Sequence, residues 1–353
     1  MGVVSVPLPI HGRGAGSNPA NRFEPVEIVR EYDHDPELDP APRTVFLRDR
    51  SQSIISSNDS PDIPYNFTLN PYRGCEHGCI YCYARPTHEY LGFSSGLDFE
   101  TRILVKMDAP ELLRRELSSS KWKPEPIAMA GVTDCYQPVE RRLEITRKCL
   151  EVFAELRNPL WITTKNHLVT RDIDILRKLA EIRGISVQLS ITTLDQELAR
   201  VMEPRTSVPR LRLEAVTRLR QAGIPVGVLV APVIPGLNDH EIPQILASAR
   251  DAGAGHAYMQ MLRLPYAIKD LFVDWLRGHY PLRAEKVIGR IRDMRGGKLN
   301  CSEFGKRMSG EGIWAEQIAQ LFAHSRERVG LGEHGPKLTT EFFRRPGEQM
   351  SLF

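Results

Sequence analysis

From Tyr65 onward, short apolar runs alternate with stretches whose apolar residues recur every three or four positions. The first kind reads as strand and the second as amphipathic helix. Phe67 to Asn70 is expected as a short strand, followed by Pro126 to Ala130, Leu160 to Thr164, Ile185 to Ile191, Ile224 to Val233 and His256 to Leu262. A helix is expected to start near Cys82 and to be cut short by Pro86, and Thr101 to Met107 reads as an extra extended segment. Helices are expected over Pro110 to Ser118, Val139 to Leu156, Val169 to Ile182, Leu194 to Met202, Pro209 to Ala222 and Asp239 to Asp251. In the longest, Ile145, Cys149, Val152, Phe153 and Leu156 share one face, which makes Cys149 a core residue. The strand markers Phe67, Ile127, Leu160, Val187, Val226 and Tyr258 begin about thirty residues apart, the size of a βα unit. This pattern predicts an α/β chain with six parallel strands and crossover helices. Periodicity alone leaves three architectures open: a closed (β/α)8 barrel, a partial barrel and an open doubly wound sheet.

The flanks differ. Residues 1–64 are rich in Pro, Gly, Asn and Asp and read as an extended segment that is partly disordered or wraps the domain. An alternative is that Arg13 and Arg22 touch a polyanion. Residues 65–265 hold the alternating pattern. Residues 266–329 turn helical, over Ile268 to His279, Leu282 to Met294 and Ile313 to Glu327, and are expected to cap the open side of the sheet. Residues 330–353 lose periodicity and read as an exposed tail. The 353 residues are 41% hydrophobic and 26% charged, ordinary for a soluble globular protein. With 47 basic against 44 acidic residues, the formal charge of +3 does not by itself argue nucleic-acid binding. No apolar run is long enough for a membrane span, and Met1 to Pro7 lacks the pattern of a secretory signal, so a cytoplasmic protein is expected.

The chemistry concentrates in Gly74-Cys75-Glu76-His77-Gly78-Cys79-Ile80-Tyr81-Cys82-Tyr83. Thiolates spaced Cys-x3-Cys-x2-Cys are too crowded to bridge one another without strain, so they read as metal ligands. Zinc would want a fourth ligand at a finger spacing, and only His77, inside the triplet, is near. Three thiolates suit a [4Fe–4S] cube with one iron left open. The stretch resembles the signature of radical S-adenosylmethionine (SAM) enzymes. There, three cysteines hold three irons, SAM chelates the fourth, and an aromatic before the last cysteine, here Tyr81, packs near the adenine. The resemblance implies a partial (β/α)6 TIM-type barrel, a [4Fe–4S] cluster held by Cys75, Cys79 and Cys82, and cleavage of SAM to a 5′-deoxyadenosyl radical. An electron donor of the flavodoxin, ferredoxin or reductase kind is implied with it.

Further motifs fall just after strands, where such folds keep their chemistry. Gly131-Val132-Thr133-Asp134 stands where the family binds the SAM amino group, with Thr133 and Asp134 as replacements for its usual Gly-Gly-Glu; the plain reading is a polar turn. Lys165 would pair with the SAM carboxylate, Ser190 would bond ribose or carboxylate, and the Ala231 backbone would approach the adenine. Tyr83 joins Tyr81 in the expected cofactor-binding set. Glu203 and Arg205 read as an internal ion pair or as an anion site. The order of these motifs over residues 65–265 resembles the spore photoproduct lyase branch, which implies action on DNA. In that branch a cysteine precedes the Thr or Ser of the second-strand motif and returns a hydrogen atom. Here that position is Val132, and Cys135 is the candidate for the role. His88 and Glu89 read as an acid or base, or as a solvated loop face. Cys301 has no nearby cysteine partner. Gln349-Met350-Ser351-Leu352-Phe353 resembles the terminal pentapeptide by which bacterial replication and repair proteins dock on the DNA sliding clamp. Radical modification of RNA or a peptide, and a non-enzymatic Fe–S or zinc module, are the alternatives.

Overall fold

In the computed structural model, residues 10–24, 42–129 and 131–346 are described. The strands are β1 (Val45–Arg48), β2 (Ile55–Ser57), β3 (Phe67–Leu69), β4 (Tyr72–Arg73), β5 (Arg102–Val105), β6 (Ile127–Met129), β7 (Leu160–Thr164), β8 (Ile185–Ser190), β9 (Val226–Val233) and β10 (Ala257–Met261). The main sheet has the order β10-β9-β8-β7-β6-β3-β2. The six strands from β3 to β10 are parallel, and β2 adds antiparallel at the edge. Each parallel strand therefore lies beside its neighbour in chain order with no reversal. A doubly wound sheet reverses at a switch point, whereas barrel winding does not. Among the described residues β10 and β2 are not paired, so the barrel is partial. All six expected strands exist, and all six markers fall within them.

The strands are apolar because they are covered. Ile162, Val187, Leu189 and Val228 are fully buried between the sheet and its crossover helices. The expected long helix over 139–156 is instead two, Glu140–Leu143 and Ile145–Leu156, broken at Glu144, whose φ is 54°. The break lets the Glu140 carboxylate turn back and accept the Thr146 N–H at 3.0 Å. That places an anion at the N-terminus of the second helix, where the peptide dipoles favour it. Pro86 starts a helix rather than ending one. Arg85–Leu91 is a 3-10 helix with proline in its first turn, where a missing N–H costs nothing.

A second sheet, β1-β5-β4, has β4 antiparallel to β5. It fixes Tyr72 and Arg73 just before the cysteine stretch, and the Cys75 N–H continues the tie by donating to the Phe99 carbonyl at 2.9 Å. The N-terminal segment, read from sequence as loop, thus supplies both β1 and β2. Its residues 10–24 wrap the domain. A Cβ on Gly14 would come within 1.8 Å of the Gly78 carbonyl oxygen, so the two backbones touch. Arg13 bonds the Glu100 carbonyl and Arg22 pairs with Glu89, so neither is free for a polyanion. The expected exposed tail also packs as far as it is described. Gly332 exchanges backbone hydrogen bonds with Gly255 and Ala257, and Phe343 packs against the core. Gln349 to Phe353 lie outside the described residues. Among those described, no helix is long and apolar enough to cross a membrane.

Candidate active site

The cysteine stretch lies across the C-terminal ends of the strands and closes a cavity there. Cys75, Cys79 and Cys82 line it together with Tyr81 and Tyr83. Thr133 and Asp134 enter after β6, Lys165 after β7, Ser190 from β8, Ala231 from β9, and Gln260 and Arg263 from β10 and beyond. The structure therefore gathers ten of the eleven expected site residues around one space. Cys135 is the exception. With Asp134 turned to the cavity, the next side chain turns away, and the Cys135 thiol is buried in the main core and does not line the cavity. Val132 packs beside Cys75, Ala84 and Phe99.

The cysteine loop is held from three sides. The Thr133 hydroxyl donates to the Gly74 carbonyl at 2.7 Å, and the Gln137 amide spans Thr133 and the Glu76 N–H, at 3.0 and 2.9 Å. Glu76 accepts the Val139 N–H at 2.7 Å and pairs with Arg205 at 3.0 Å. Beneath the loop, the fully buried Arg85 donates to the carbonyls of Cys79 (3.0 Å), Gly78 (3.1 Å), Gly96 (2.9 Å) and Ser95 (3.3 Å) and pairs with buried Glu100. Glu100 in turn accepts the N–H groups of Gly14 and Ala15, at 3.0 and 2.8 Å. Nothing local in the sequence marks Arg85, Glu100, Gln137 or Glu76, because each acts on the cysteine loop only through contacts made in the fold.

The donor set decides between metals. His77 is occupied: its Nδ1 faces the Asp134 carboxylate at 3.4 Å and its Nε2 lies 3.2 Å from the Asn166 side-chain amide. Zinc is thus left without a fourth side chain from the loop. Among the described residues no three His, Cys, Asp or Glu side chains surround one ion position. A cube takes each thiolate at a separate corner, so it does not need them to converge. Three thiolates on one cavity wall, Cys75 and Cys79 only 6% and 7% exposed, suit such a cluster with one iron open.

Asp134 and Lys165 line the same cavity as the cysteines and carry opposite charges. Asp134 accepts the Thr164 hydroxyl at 2.7 Å and the Lys165 N–H at 2.8 Å, so its carboxylate sits beside the start of Lys165. The Lys165 ammonium reaches across to Ser190 Oγ at 2.5 Å, the Ala231 carbonyl at 3.3 Å and Glu203 at 3.7 Å. Glu203 is fully buried, pairs with Arg212 and accepts from Tyr81 and Thr192. Its expected partner Arg205 is committed to Glu76 instead. Burial alone would raise the Glu203 pKa, but Arg212 and Lys165, with those hydrogen bonds, outweigh it and hold the group at about 2. Arg212 and Lys165 together carry one positive charge more than Glu203, and the Asp134 carboxylate at the same cavity offsets it.

A pH prediction follows from Glu203. Its folded pKa lies below the ordinary value, so it stabilises the fold above about pH 4.5, and that contribution is lost as pH falls through about 2. The size is on the order of 3 kcal/mol. Glu203→Gln is expected to lower the urea midpoint at neutral pH, with the gap to wild type closing toward pH 2. A gap that does not change with pH would contradict the carboxylate's role.

His88 and Glu89 are neither catalytic groups nor a solvated face. His88 is buried, with Nε2 2.8 Å from the Arg102 carbonyl, and burial lowers its pKa to about 4. Glu89 pairs with Arg22. Cys149 is fully buried core, as expected. Cys301 lines a second, larger cleft.

Comparison with known proteins agrees with this arrangement. Residues 69–249 match the model of the Radical SAM superfamily. An uncharacterised protein of Mycobacterium tuberculosis is 37% identical over 277 residues, covering 78% of each chain. A radical SAM Nalpha-GlyT isomerase of Pseudomonas phage M6 is 22% identical over 299 residues, covering 82% of this chain and 60% of that one. Among solved structures, a spore photoproduct lyase variant with bound AdoMet and dinucleoside spore photoproduct superposes with a TM-score of 0.56 at 17% identity, covering 82% of this chain and 80% of that one. The chain belongs to the radical SAM superfamily and is an enzyme whose cofactors are a [4Fe–4S] cluster and S-adenosylmethionine.

Proposed function

We propose that this enzyme uses radical SAM chemistry to repair or modify nucleic acid. When bound, the cluster and SAM supply a reductive cleavage that yields methionine and a hydrogen-abstracting 5′-deoxyadenosyl radical. Cys75, Cys79 and Cys82 would hold the cluster. The observation that carries the reading is the opposition of Asp134 and Lys165 in the cysteine-lined cavity. One anion and one cation on adjacent strand ends complement the ammonium and carboxylate of a SAM methionine moiety. Asp134 accepts from Thr164, Tyr136 and the Lys165 backbone and faces His77 at 3.4 Å, so it is fixed in place and would share its charge between His77 and the SAM ammonium. Lys165 has its Ser190 bond to exchange for a carboxylate. Tyr81, Tyr83 and the Ala231 backbone line the rest of the space and would enclose the nucleoside. Nucleic acid as substrate is supported by the shared fold with spore photoproduct lyase, solved with a dinucleoside spore photoproduct. A flavodoxin- or ferredoxin-type donor, a cytoplasmic setting and sliding-clamp docking through Gln349 to Phe353 complete the proposal; these last points rest on sequence.

The test is anaerobic reconstitution with iron and sulfide, then SAM and dithionite, with assay for 5′-deoxyadenosine. Nucleoside is expected from wild type. Lys165→Met is expected to need roughly 10- to 100-fold more SAM for half-maximal rate, the size of one lost charge-assisted hydrogen bond. Iron incorporation without any nucleoside would refute the enzymatic reading, and an unchanged SAM requirement would refute the role of Lys165.

A further inference from the structure

Beside the cluster cavity lies an open cleft of about 1050 Å³ formed by residues 263–311, beyond the span of the family match. We infer that this cleft holds the phosphodiester backbone of a single nucleic-acid strand and feeds one of its nucleotides past Arg263 to the cluster cavity. This deepens the proposed function and rests on it only for what happens in the cavity.

Charge is the first argument. Six cations line the cleft (Arg263, Lys269, Arg292, Arg295, Lys298 and Arg307) against three acids, Asp270, Glu303 and Glu311. The lining residues thus carry a net +3. Partners sharpen the picture. Glu303 and Glu311 both bind Lys306, at 3.1 and 3.2 Å. Arg307 pairs with Asp62, and Arg295 is spent on the carbonyls of Leu262, Lys306 and Arg307. That leaves Arg263, Lys269, Arg292 and Lys298, none of which has a carboxylate partner among the described residues. Cations left unpaired on a concave surface bind phosphates, and their counterion release makes such binding salt-dependent.

Arg263 is the second argument. Among the described residues it is the one that lines both the cleft and the cluster cavity. Among the described residues its buried Nε has no hydrogen-bond partner and its Nη1 reaches only the Met308 sulfur, at 3.6 Å. A guanidinium left with a buried unused donor is costly unless a ligand supplies the acceptor. It lies 5.2 Å from the centroid of the Tyr83 ring, which belongs to the cysteine loop.

Aromatic surface is the third. Tyr83 and Tyr266 are 43% and 56% exposed, one lining each cavity; Arg22 covers one face of the Tyr266 ring, 3.6 Å from its centroid, and the other face is left for a base. A basic groove with exposed rings is the common device for single strands, because every base has a face to stack. The volume exceeds what one nucleotide fills, which favours a strand over a mononucleotide.

The test is fluorescence anisotropy with the reconstituted full chain and a short labelled single-stranded DNA, across a salt series. Arg292→Gln/Lys298→Gln is expected to weaken binding at least tenfold at low salt and to flatten the salt slope by about 1.4. Arg177→Gln/Lys178→Gln removes the same charge from an exposed helix elsewhere and is expected to bind as wild type. Equal weakening by both pairs, or by neither, would overturn the inference. Displacement of the strand by adenosine monophosphate at comparable concentration would overturn it in favour of a nucleotide site. SAM cleavage is measured on the same wild-type preparation. Cleavage without cleft-dependent binding sinks only the cleft, and cleft-dependent binding without cleavage sinks only the enzymatic reading.

Discussion

Cys79→Ser is expected to lose nearly all cluster iron after anaerobic reconstitution and to give no 5′-deoxyadenosine above background. A serine hydroxyl does not ionise near neutral pH and is a harder donor than thiolate, and two remaining cysteines cannot hold a cube. The loop itself should survive, because the Arg85 bond is to the Cys79 carbonyl rather than to its side chain. Cys149→Ser provides the contrast. That thiol is fully buried in the core helix, and a hydroxyl there lacks a partner and costs roughly 1–3 kcal/mol. The expected result is a lower unfolding midpoint with iron and nucleoside formation intact. Cys135→Ala should likewise keep its iron, because Cys135 does not line the cavity. Equal loss of iron in Cys79→Ser and Cys149→Ser would mean that instability, not ligation, explains the first.

These contrasts mark what the sequence made legible. Ligand spacing is local, so Cys75, Cys79 and Cys82 could be read as a unit. Strand ends are also local, and placing Asp134, Lys165, Ser190 and Ala231 after successive strands needed only the βα period. What was illegible depended on distant pairing. Arg85 and Glu100 are 15 residues apart and meet Gly14, 86 residues from Glu100, only in the fold. Closeness in sequence pairs Glu203 with Arg205, yet the chain gives it Arg212, 9 residues on. The break at Glu144 escaped notice because the apolar face continues through it, while Glu140's reach back to Thr146 is a tertiary choice. Charge was misleading for a related reason. A mild total of +3 hides a cleft in which six cations face three acids.

The buried Arg85–Glu100 pair is where the fold and the chemistry depend on one another most. Arg85→Met is expected to destabilise the chain by about 3–5 kcal/mol, the cost of leaving one buried charge unpaired. For a chain of this size that is a fall of roughly 4–7 °C in Tm. Glu100 would keep its bonds from Gly14 and Ala15 but lose its cation, and the carbonyls of Gly78, Cys79, Ser95 and Gly96 would lose their donor. Two of those carbonyls belong to the cysteine loop, so iron content should fall along with stability although no ligand is touched. The double variant Arg85→Met/Glu100→Met separates the causes. It removes the unpaired charge but not the unmet carbonyls, so it is expected to recover stability only in part and to remain poor in iron. Full recovery of both would show that the pair serves only to neutralise itself. An Arg85→Met variant with wild-type midpoint and iron would show that the loop holds its shape without it.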